Sequence, residues 1–416
     1  MNNIELRDRG PDHRTERSAA AESRGAAHFE RLMARGPDEA LSAVLAASPQ
    51  MYDWLVNGAF TGPLSGSELT MAQRELATVA ALCALGDTER QLAVHVAAAL
   101  GQGITATELR GIPLHMSVYA GFPRALTALE AIDRVLAEAG TPAPPSLRRV
   151  LLSDHETIVA QAGIAGPPVV LVHALGLDWR MWEPVLTHLA AGRRVYAYDV
   201  RGHGAATEAP HPTTMSDLAT DLVALLNALR LDRAHVVGLS YGGGIVQTAA
   251  AIAPERFESM ALMATTSVAF EAFEDRARSI DRDGMAGQVA PSLGRWFTPD
   301  ALALNEWGVR YARDCVLRGD PGQAAAAWRA FRTLDVHGKL AGFGAPTLVL
   351  AGERDASTPP DTMSRIADGI PLARFQEMPG APHMPTLERP SLVVAALDEF
   401  LPQAPRCAEV GHAGRG

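Results

Sequence analysis

The sequence predicts two domains: an all-helical domain, then an α/β domain whose mostly parallel sheet carries a helical lid. The first observation is length, because 416 residues exceed the usual size of one domain. The second is that residues 28–139 have helical patterning, with glycine or proline only where a helix can end. The third is that short β-branched runs alternate with helical segments beyond residue 147, which is typical of parallel sheets flanked by helices.

Three helices are expected in the N-terminal domain, at about residues 70–85, 87–99 and 114–119. The first ends at Gly86 and is apolar on most of its circumference. Asp87 is placed to cap the second helix. Because a small domain can bury such an apolar helix only against a partner, we expect a homo-oligomer assembled through this domain.

A Pro-rich segment, residues 140–146, predicts an extended spacer before an α/β domain over residues 147–403. The clearest strand candidates of that domain are residues 169–172, 194–198, 234–237 and 346–350. Between about 265 and 340 the alternation gives way to helical patterning, which predicts a lid over the sheet. Residues 1–27 and 404–416 are predicted to be a disordered and a flexible tail.

Composition excludes several classes of function. Asp and Glu total 47 against 37 Lys and Arg, a net charge of −10, so the clustered cations that nucleic acid requires are missing. No run approaches the roughly 20 apolar residues of a membrane span, and the first residues do not resemble a secretory signal. Three scattered cysteines are too few for a disulfide framework or a cysteine metal site. We therefore expect a cytoplasmic protein without metal that acts on a small molecule.

The most informative local sequence is Gly-Leu-Ser-Tyr-Gly at residues 238–242, between a strand candidate and a predicted helix. In this G-x-S-x-G context a sharp turn strains the backbone of the serine, here Ser240, and lifts its hydroxyl above the sheet. The N-terminus of the following helix is aimed at developing negative charge. Taken alone, the pattern also fits a tight glycine turn.

Two later loops supply partners for this serine in the order serine, acid, histidine. Asp355 follows the strand candidate 346–350, and His383 follows a further short run. His383 would accept the Ser240 proton, while Asp355 would orient the imidazole and stabilise its cation.

Other assignments stay open. Glu353 is an alternative acid, and His173 and His203 are rival bases, although both precede the serine in the chain. An oxyanion hole needs two backbone N–H donors. Tyr241 supplies one because it follows the nucleophile, and Leu175, after the first clear strand, is the candidate for the other.

From about residue 152 to 401 the chain resembles the α/β-hydrolases, and more narrowly the 3-oxoadipate enol-lactone hydrolases. The resemblance rests on His-Ala-Leu-Gly-Leu-Asp-Trp-Arg-Met-Trp at 173–182, Tyr-Asp-Val-Arg-Gly-His-Gly at 198–204, Gly-Arg-Trp-Phe-Thr-Pro at 294–299 and Ala-Pro-Thr-Leu-Val-Leu-Ala-Gly at 345–352.

This resemblance implies a small anionic lactone as substrate. Trp296 would exclude water, and Arg295 or Arg180 would pair with the carboxylate. The alternative is that Trp296 only packs the lid and Arg295 is solvated. Ala174 stands where the enol-lactonases tend to have serine, and residues 320–324 lack an expected tyrosine, so the precise substrate stays open.

From about residue 65 to 137 the chain resembles the carboxymuconolactone decarboxylase family. The matching segments are Arg-Glu-Leu-Ala-Thr-Val-Ala-Ala-Leu-Cys-Ala-Leu-Gly at 74–86, Gln-Leu-Ala-Val-His-Val-Ala-Ala-Ala-Leu-Gly at 91–101 and His-Met-Ser-Val-Tyr-Ala-Gly-Phe-Pro at 115–123. The resemblance implies a helical, oligomeric protein without cofactors. Peroxidase-like relatives have a cysteine pair where this chain has Thr88 and Gln91, so redox chemistry is not expected.

Cofactor-free decarboxylation needs an acid that delivers a proton, and histidine suits that role near neutral pH. His95 is the first candidate, with Glu89 or Gln91 nearby on its helix. His115 and Tyr119 share another helix face and are candidates for substrate binding. The alternative is that His95 is a core residue.

The two resemblances meet in one pathway of aromatic catabolism, because the decarboxylase product is the lactone that the hydrolase opens. The leading hypothesis is therefore a bifunctional enzyme that converts 4-carboxymuconolactone to 3-oxoadipate. The alternative is a hydrolase of another lactone or ester in secondary metabolism, with the helical domain as a non-catalytic oligomerisation module.

Overall fold

The structure is a computed structural model that describes residues 24–66 and 68–402. The chain divides into two compact units, Met1–Ala143 and Pro144–Gly416. The predicted tails lie outside the described residues, except that residues 24–27 are helical and so do not belong to a disordered tail. No helix within the described ranges combines the length and apolarity needed to cross a membrane.

In the N-terminal unit the described residues form helices and turns. A first helix, α1, covers residues 24–33. The others are α2 Pro37–Ala40, α3 Ser42–Ala47, α4 Pro49–Asp53, α5 Met71–Leu85, α6 Glu89–Gly101, α7 Ala106–Ala120 and α8 Phe122–Glu138. A π-helical turn, Trp54–Ala59, extends α4. Thr70 caps α5 through a capping box, whereas Asp87 has a positive φ of 54° and α6 follows Thr88, so the predicted Asp87 cap is wrong.

Helices α5 to α8 bury a core that includes Val79, Leu92, Leu109 and Ile132. Alanines of α6 and α8 join this core, and their small side chains let the helices approach closely. The outer face of α7 and the start of α8 leave large apolar side chains exposed: Leu114 75%, Val118 81%, Tyr119 72% and Phe122 69%. Apolar side chains exposed together in this way are typical of interaction surfaces.

An eight-stranded sheet forms the centre of the C-terminal unit, in the order β1-β2-β4-β3-β5-β6-β7-β8. The strands are β1 Ser146–Leu151, β2 Glu156–Ala162, β3 Pro168–Val172, β4 Arg194–Tyr198, β5 Ala234–Leu239, β6 Phe257–Met263, β7 Thr347–Gly352 and β8 Ala373–Met378. β2 pairs antiparallel with β1 and β4, and the remaining pairs are parallel. Ser146 already pairs with Gln161, so the first strand begins inside the predicted spacer.

Helices cover both faces of this sheet and form a lid. The sheet helices are α9 Glu183–Leu189, α10 Met215–Ala228, α11 Tyr241–Ile252, α17 Pro360–Asp368, α18 Pro385–Glu388 and α19 Pro390–Phe400. The lid helices are α12 Ala272–Asp283, α13 Val289–Trp296, α14 Pro299–Leu304, α15 Trp307–Arg318 and α16 Pro321–Phe331. All five lid helices lie between β6 and β7, within the predicted insertion.

Candidate active site

Ser240 lies in the sharp turn between β5 and α11, with φ 56° and ψ −113°. A positive φ is energetically costly for any residue other than glycine, and residues held in this conformation cluster at functional sites. Gly238 and Gly242 flank the serine, and neighbouring backbone atoms lie too close for either to carry a side chain. A Cβ at Gly238 would lie 2.5 Å from the carbonyl oxygen of Gly242, and a Cβ at Gly242 would lie 2.2 Å from that of Val172.

The structure brings Ser240, His383 and Asp355 together. His383 Nε2 lies 3.1 Å from Ser240 Oγ, and His383 Nδ1 lies 2.8 Å from Asp355 Oδ2. Asp355 also accepts hydrogen bonds from the backbone N–H groups of Ser357 and Thr358 and from the Thr358 hydroxyl. Burial alone would raise the pKa of Asp355, but the His383 charge and these hydrogen bonds outweigh it and hold the pKa below its ordinary value. The carboxylate is therefore ionised where it meets the imidazole.

The rival residues lie elsewhere. Glu353 is exposed and accepts the Gly380 N–H, so it does not replace Asp355. His173 is fully buried; its Nε2 accepts the Val200 N–H and its Nδ1 donates to the Ala174 carbonyl. Burial lowers the pKa of His173 to about 3, so the ring is neutral and braces its loop.

His203, the second rival base, bonds through Nδ1 to the Arg201 carbonyl oxygen. Leu175, in the loop after β3, lines the same cavity as Ser240. Tyr241 is the first residue of α11, so its N–H is one of the groups that a helix leaves without an internal acceptor. Of the two predicted oxyanion donors, Tyr241 is therefore adjacent to Ser240 in the chain, and Leu175 lines the same cavity.

The lid closes a cavity over Ser240. Arg295 and Trp296, both predicted, line it beside Ser240 and His383. Arg276 of α12 lines it as well and was not predicted from the sequence. Burial lowers the pKa of Arg276 to about 10, with a further contribution from the Arg295 charge, and burial also lowers the pKa of Arg295.

Arg180 does not reach this cavity, which corrects its predicted role as a carboxylate partner there. Its guanidinium binds Asp178 through two hydrogen bonds of 3.0 and 2.5 Å and lies 5.5 Å from the centroid of the Tyr311 ring. It lines a separate cavity of about 480 Å³ together with Asp199 and His203. Its charge is already neutralised by Asp178.

In the helical unit, His95 Nδ1 lies 2.9 Å from Glu75 Oε2. The Glu75 side chain is 3% exposed and the His95 side chain 25% exposed, so a buried carboxylate holds a histidine that solvent can reach. Sequence reasoning placed Glu89 or Gln91 next to His95, but both are exposed and the partner comes from α5. Glu75 is the one acidic residue of α5, and that was the signal for it in the sequence.

His115 and Tyr119 contact each other, with ring centroids 5.2 Å apart, as their spacing on one helix face predicts. Both are exposed on α7. No hydrogen bond or ring contact among the described residues connects them to His95.

Comparisons with known proteins match each unit to a family. Residues 167–390 match the alpha/beta hydrolase fold family, and residues 49–134 match the carboxymuconolactone decarboxylase family. The 3-oxoadipate enol-lactonase 1 of Acinetobacter baylyi is 30% identical over 244 residues, which are 56% of this chain and 88% of that protein.

Two solved structures are similar at the level of fold and sequence. The enol-lactonase from Burkholderia xenovorans LB400 has a TM-score of 0.59 and 29% identity, covering 61% of this chain and 99% of that one. A malate-bound thermophilic esterase from Thermogutta terrifontis has a TM-score of 0.58 and 29% identity, covering 61% of this chain and 97% of that one.

Proposed function

The chain belongs to the alpha/beta hydrolase family, and on that premise we propose that its C-terminal unit hydrolyses 3-oxoadipate enol-lactone to 3-oxoadipate. The observation that carries this proposal is the continuous hydrogen-bonded series from Ser240 through His383 to Asp355. The enol-lactonases among the similar proteins support the choice of substrate. Arg295 in the cavity supports an anionic substrate.

The proposed hydrolysis proceeds through an acyl-enzyme. Ser240 Oγ attacks the lactone carbonyl while His383 Nε2 takes its proton, and Asp355 stabilises the imidazolium. The N–H groups of Tyr241 and Leu175 stabilise the oxyanion. Collapse breaks the ring C–O bond, His383 returns the proton to the leaving enol, and the enol becomes the ketone. Water activated by His383 then releases the second carboxylate and frees Ser240.

We further propose that the helical unit decarboxylates 4-carboxymuconolactone without a cofactor. The carboxylate's C–C bond breaks, carbon dioxide leaves, the electron pair moves into the conjugated lactone, and His95 delivers the proton. The family match over residues 49–134 and the 2.9 Å contact between His95 and Glu75 support this assignment. The buried carboxylate would orient the ring toward the substrate.

The test supplies each lactone separately to the wild-type protein and to Ser240→Ala. Wild type should consume both lactones, and the variant should consume 4-carboxymuconolactone but accumulate the enol-lactone. A wild type that leaves the enol-lactone intact, or a variant that opens it equally fast, would remove the hydrolase assignment. Loss of decarboxylation in Ser240→Ala would remove the assignment of that step to the helical unit.

A second candidate is a hydrolase of another small ester whose helical unit only assembles copies of the chain. The exposed apolar side chains of α7 and α8 favour it. So do Ala174, where the enol-lactonases tend to have serine, and Gln91, where many carboxymuconolactone decarboxylases have glutamate. Removing the helical unit would then dissociate the assembly while ester turnover persists. A strong preference for the enol-lactone over a panel of lactones and aryl esters would exclude this candidate.

A further inference from the structure

Two lid arginines, Arg276 of α12 and Arg295 of α13, line the cavity of Ser240. Among residues 24–66 and 68–402, no carboxylate lies within ion-pair distance of either guanidinium. The two cations repel each other, since the Arg295 charge acts on Arg276. The cavity therefore contains two positive charges and no internal anion to balance them.

Their surroundings hold these cations without neutralising them. The Arg276 guanidinium lies 4.7 Å from the centroid of the Trp328 ring and 5.7 Å from that of Phe273, and both rings line the cavity. Such cation–π contacts position a guanidinium while its N–H groups remain available. Arg295 has one weak contact, 3.4 Å to the Ser292 hydroxyl.

The two buried arginines among the described residues of the same unit, Arg193 and Arg201, are neutralised. The Arg193 guanidinium, fully buried, lies 2.6 Å from Asp398, and Arg201 binds Asp154 and Asp221, both at 2.7 Å. Arg276 and Arg295 are half-buried, so each loses part of its hydration without gaining a carboxylate in return, a cost that an anionic ligand would offset. The lid arginines thus differ from Arg193 and Arg201 because no carboxylate neutralises their charge.

We propose that Arg276 and Arg295 together form a subsite for two carboxylates, so that the cavity is complementary to the dicarboxylate left when an anionic lactone opens. This inference rests on the proposed hydrolase function. Hydrolysis adds water across the acyl C–O bond and turns the ester into a second carboxylate, releasing one proton. The bound molecule passes from one negative charge to two, which matches the two guanidiniums. Arg276 is then a specificity-determining residue, and the product is a competitive inhibitor.

The test measures binding of adipate, a dicarboxylate, and hexanoate, a monocarboxylate of equal length, to the full chain by isothermal titration calorimetry. Wild type should bind adipate about tenfold or more tightly than hexanoate, as expected for an added charge-assisted interaction. Arg276→Met and Arg295→Met should each abolish most of that preference. Arg276→Lys should retain part of it, because the charge remains but the planar fork does not.

Arg278→Met is the matched control, since Arg278 lies on the same helix, is exposed and pairs with Glu274 outside the cavity. It should bind both acids as wild type does. Equal affinity of wild type for adipate and hexanoate would overturn the two-carboxylate subsite. Unchanged adipate binding in both Arg276 variants, with the folded state verified by thermal melting, would remove Arg276 from it.

Adipate binding tests the subsite and enol-lactone turnover tests the hydrolase function, so the two can fail independently. If the enol-lactone is opened while adipate binding does not depend on Arg276, the subsite fails and the hydrolase proposal stands. If adipate binds through both arginines while the enol-lactone is left intact, the subsite stands and the substrate must be another carboxylated ester.

Discussion

Each unit of the chain holds a histidine against a carboxylate, and the two pairs differ in their surroundings. In the hydrolase unit the side chains of His383 and Asp355 are 5% and 0% exposed, and Ser240 completes the series. In the helical unit His95 is 25% exposed, and the described residues add only Glu75 to it. Covalent catalysis must fix three groups in a dry cavity, whereas a proton donor needs only one oriented ring that the substrate can reach.

The largest effect is expected for Ser240→Ala, which removes the third group of the buried series. The enol-lactonase kcat should fall by about 10⁴-fold or more, because the nucleophile has no substitute. Carboxymuconolactone consumption by the same protein should not change. Continuous assays with each lactone check both expectations, and a joint loss of the two activities would contradict the independence of the two sites.

Breaking the pair of His95 and Glu75 should have the next largest effect. His95→Gln should slow decarboxylation by about 10²- to 10⁴-fold, the usual worth of a positioned acid, and Glu75→Gln should slow it less because the ring remains. Glu89→Gln is the control, since Glu89 is exposed on the same helix. Single-turnover decarboxylation separates the three variants. An unchanged rate in His95→Gln would remove His95 as the proton donor.

Two glycine substitutions compare the packing of the units. Gly242→Ala should destabilise the hydrolase unit by about 2–3 kcal/mol, because its Cβ would lie 2.2 Å from the backbone oxygen of Val172. Gly111→Ala, inside α7 with no atom within 4 Å of its Cβ, should stabilise the helical unit by about 0.5–1 kcal/mol. Urea unfolding of each variant measures both changes. A neutral Gly242→Ala would mean that the turn at Ser240 relaxes easily.

The last expected effect is a loss of stability in acid. Burial lowers the pKa of His173 to about 3, below the unfolded value of 6.5, so the unfolded chain takes up the proton first. The stability that neutral His173 contributes is complete above pH 6.5 and is lost as the pH falls toward 3. Between pH 7 and pH 5 the loss is about 2 kcal/mol. His173→Asn should lower stability at pH 7 but flatten this dependence, measured by urea unfolding at several pH values.

Sequence reasoning found the buried parallel strands and missed others for a physical reason. β3, β4, β5 and β7 are buried on both faces, so their β-branched runs stand out. β6 has no β-branched residue, and its two methionines, leucine and alanine also suit a helix. β1 and β8 lie at the sheet edges with mixed polar sequences. A strand is recognisable from this sequence where burial on both faces coincides with a run of β-branched residues.

The candidate site residues also divide into those that a local sequence pattern reveals and those that only tertiary contacts bring to the site. Ser240, Asp355 and His383 were predicted because a strained turn and the loops after strands leave local patterns. Arg276 was missed because α12 also carries Arg278 and Arg282, and only the tertiary packing sends one of the three into the cavity. Glu75 was missed as the partner of His95 because its contact crosses between two helices.

The position of the first strand in the sheet has a consequence for what can precede the hydrolase fold in the chain. β1 lies at the edge of the sheet, is mostly exposed and carries Arg148 and Arg149. Charged side chains on an edge strand, such as these two adjacent arginines, hinder the strand from pairing with strands of other molecules. Chain added ahead of β1 extends an edge strand and leaves the order of the central strands unchanged. The sheet of the hydrolase fold can therefore form with a different segment ahead of β1.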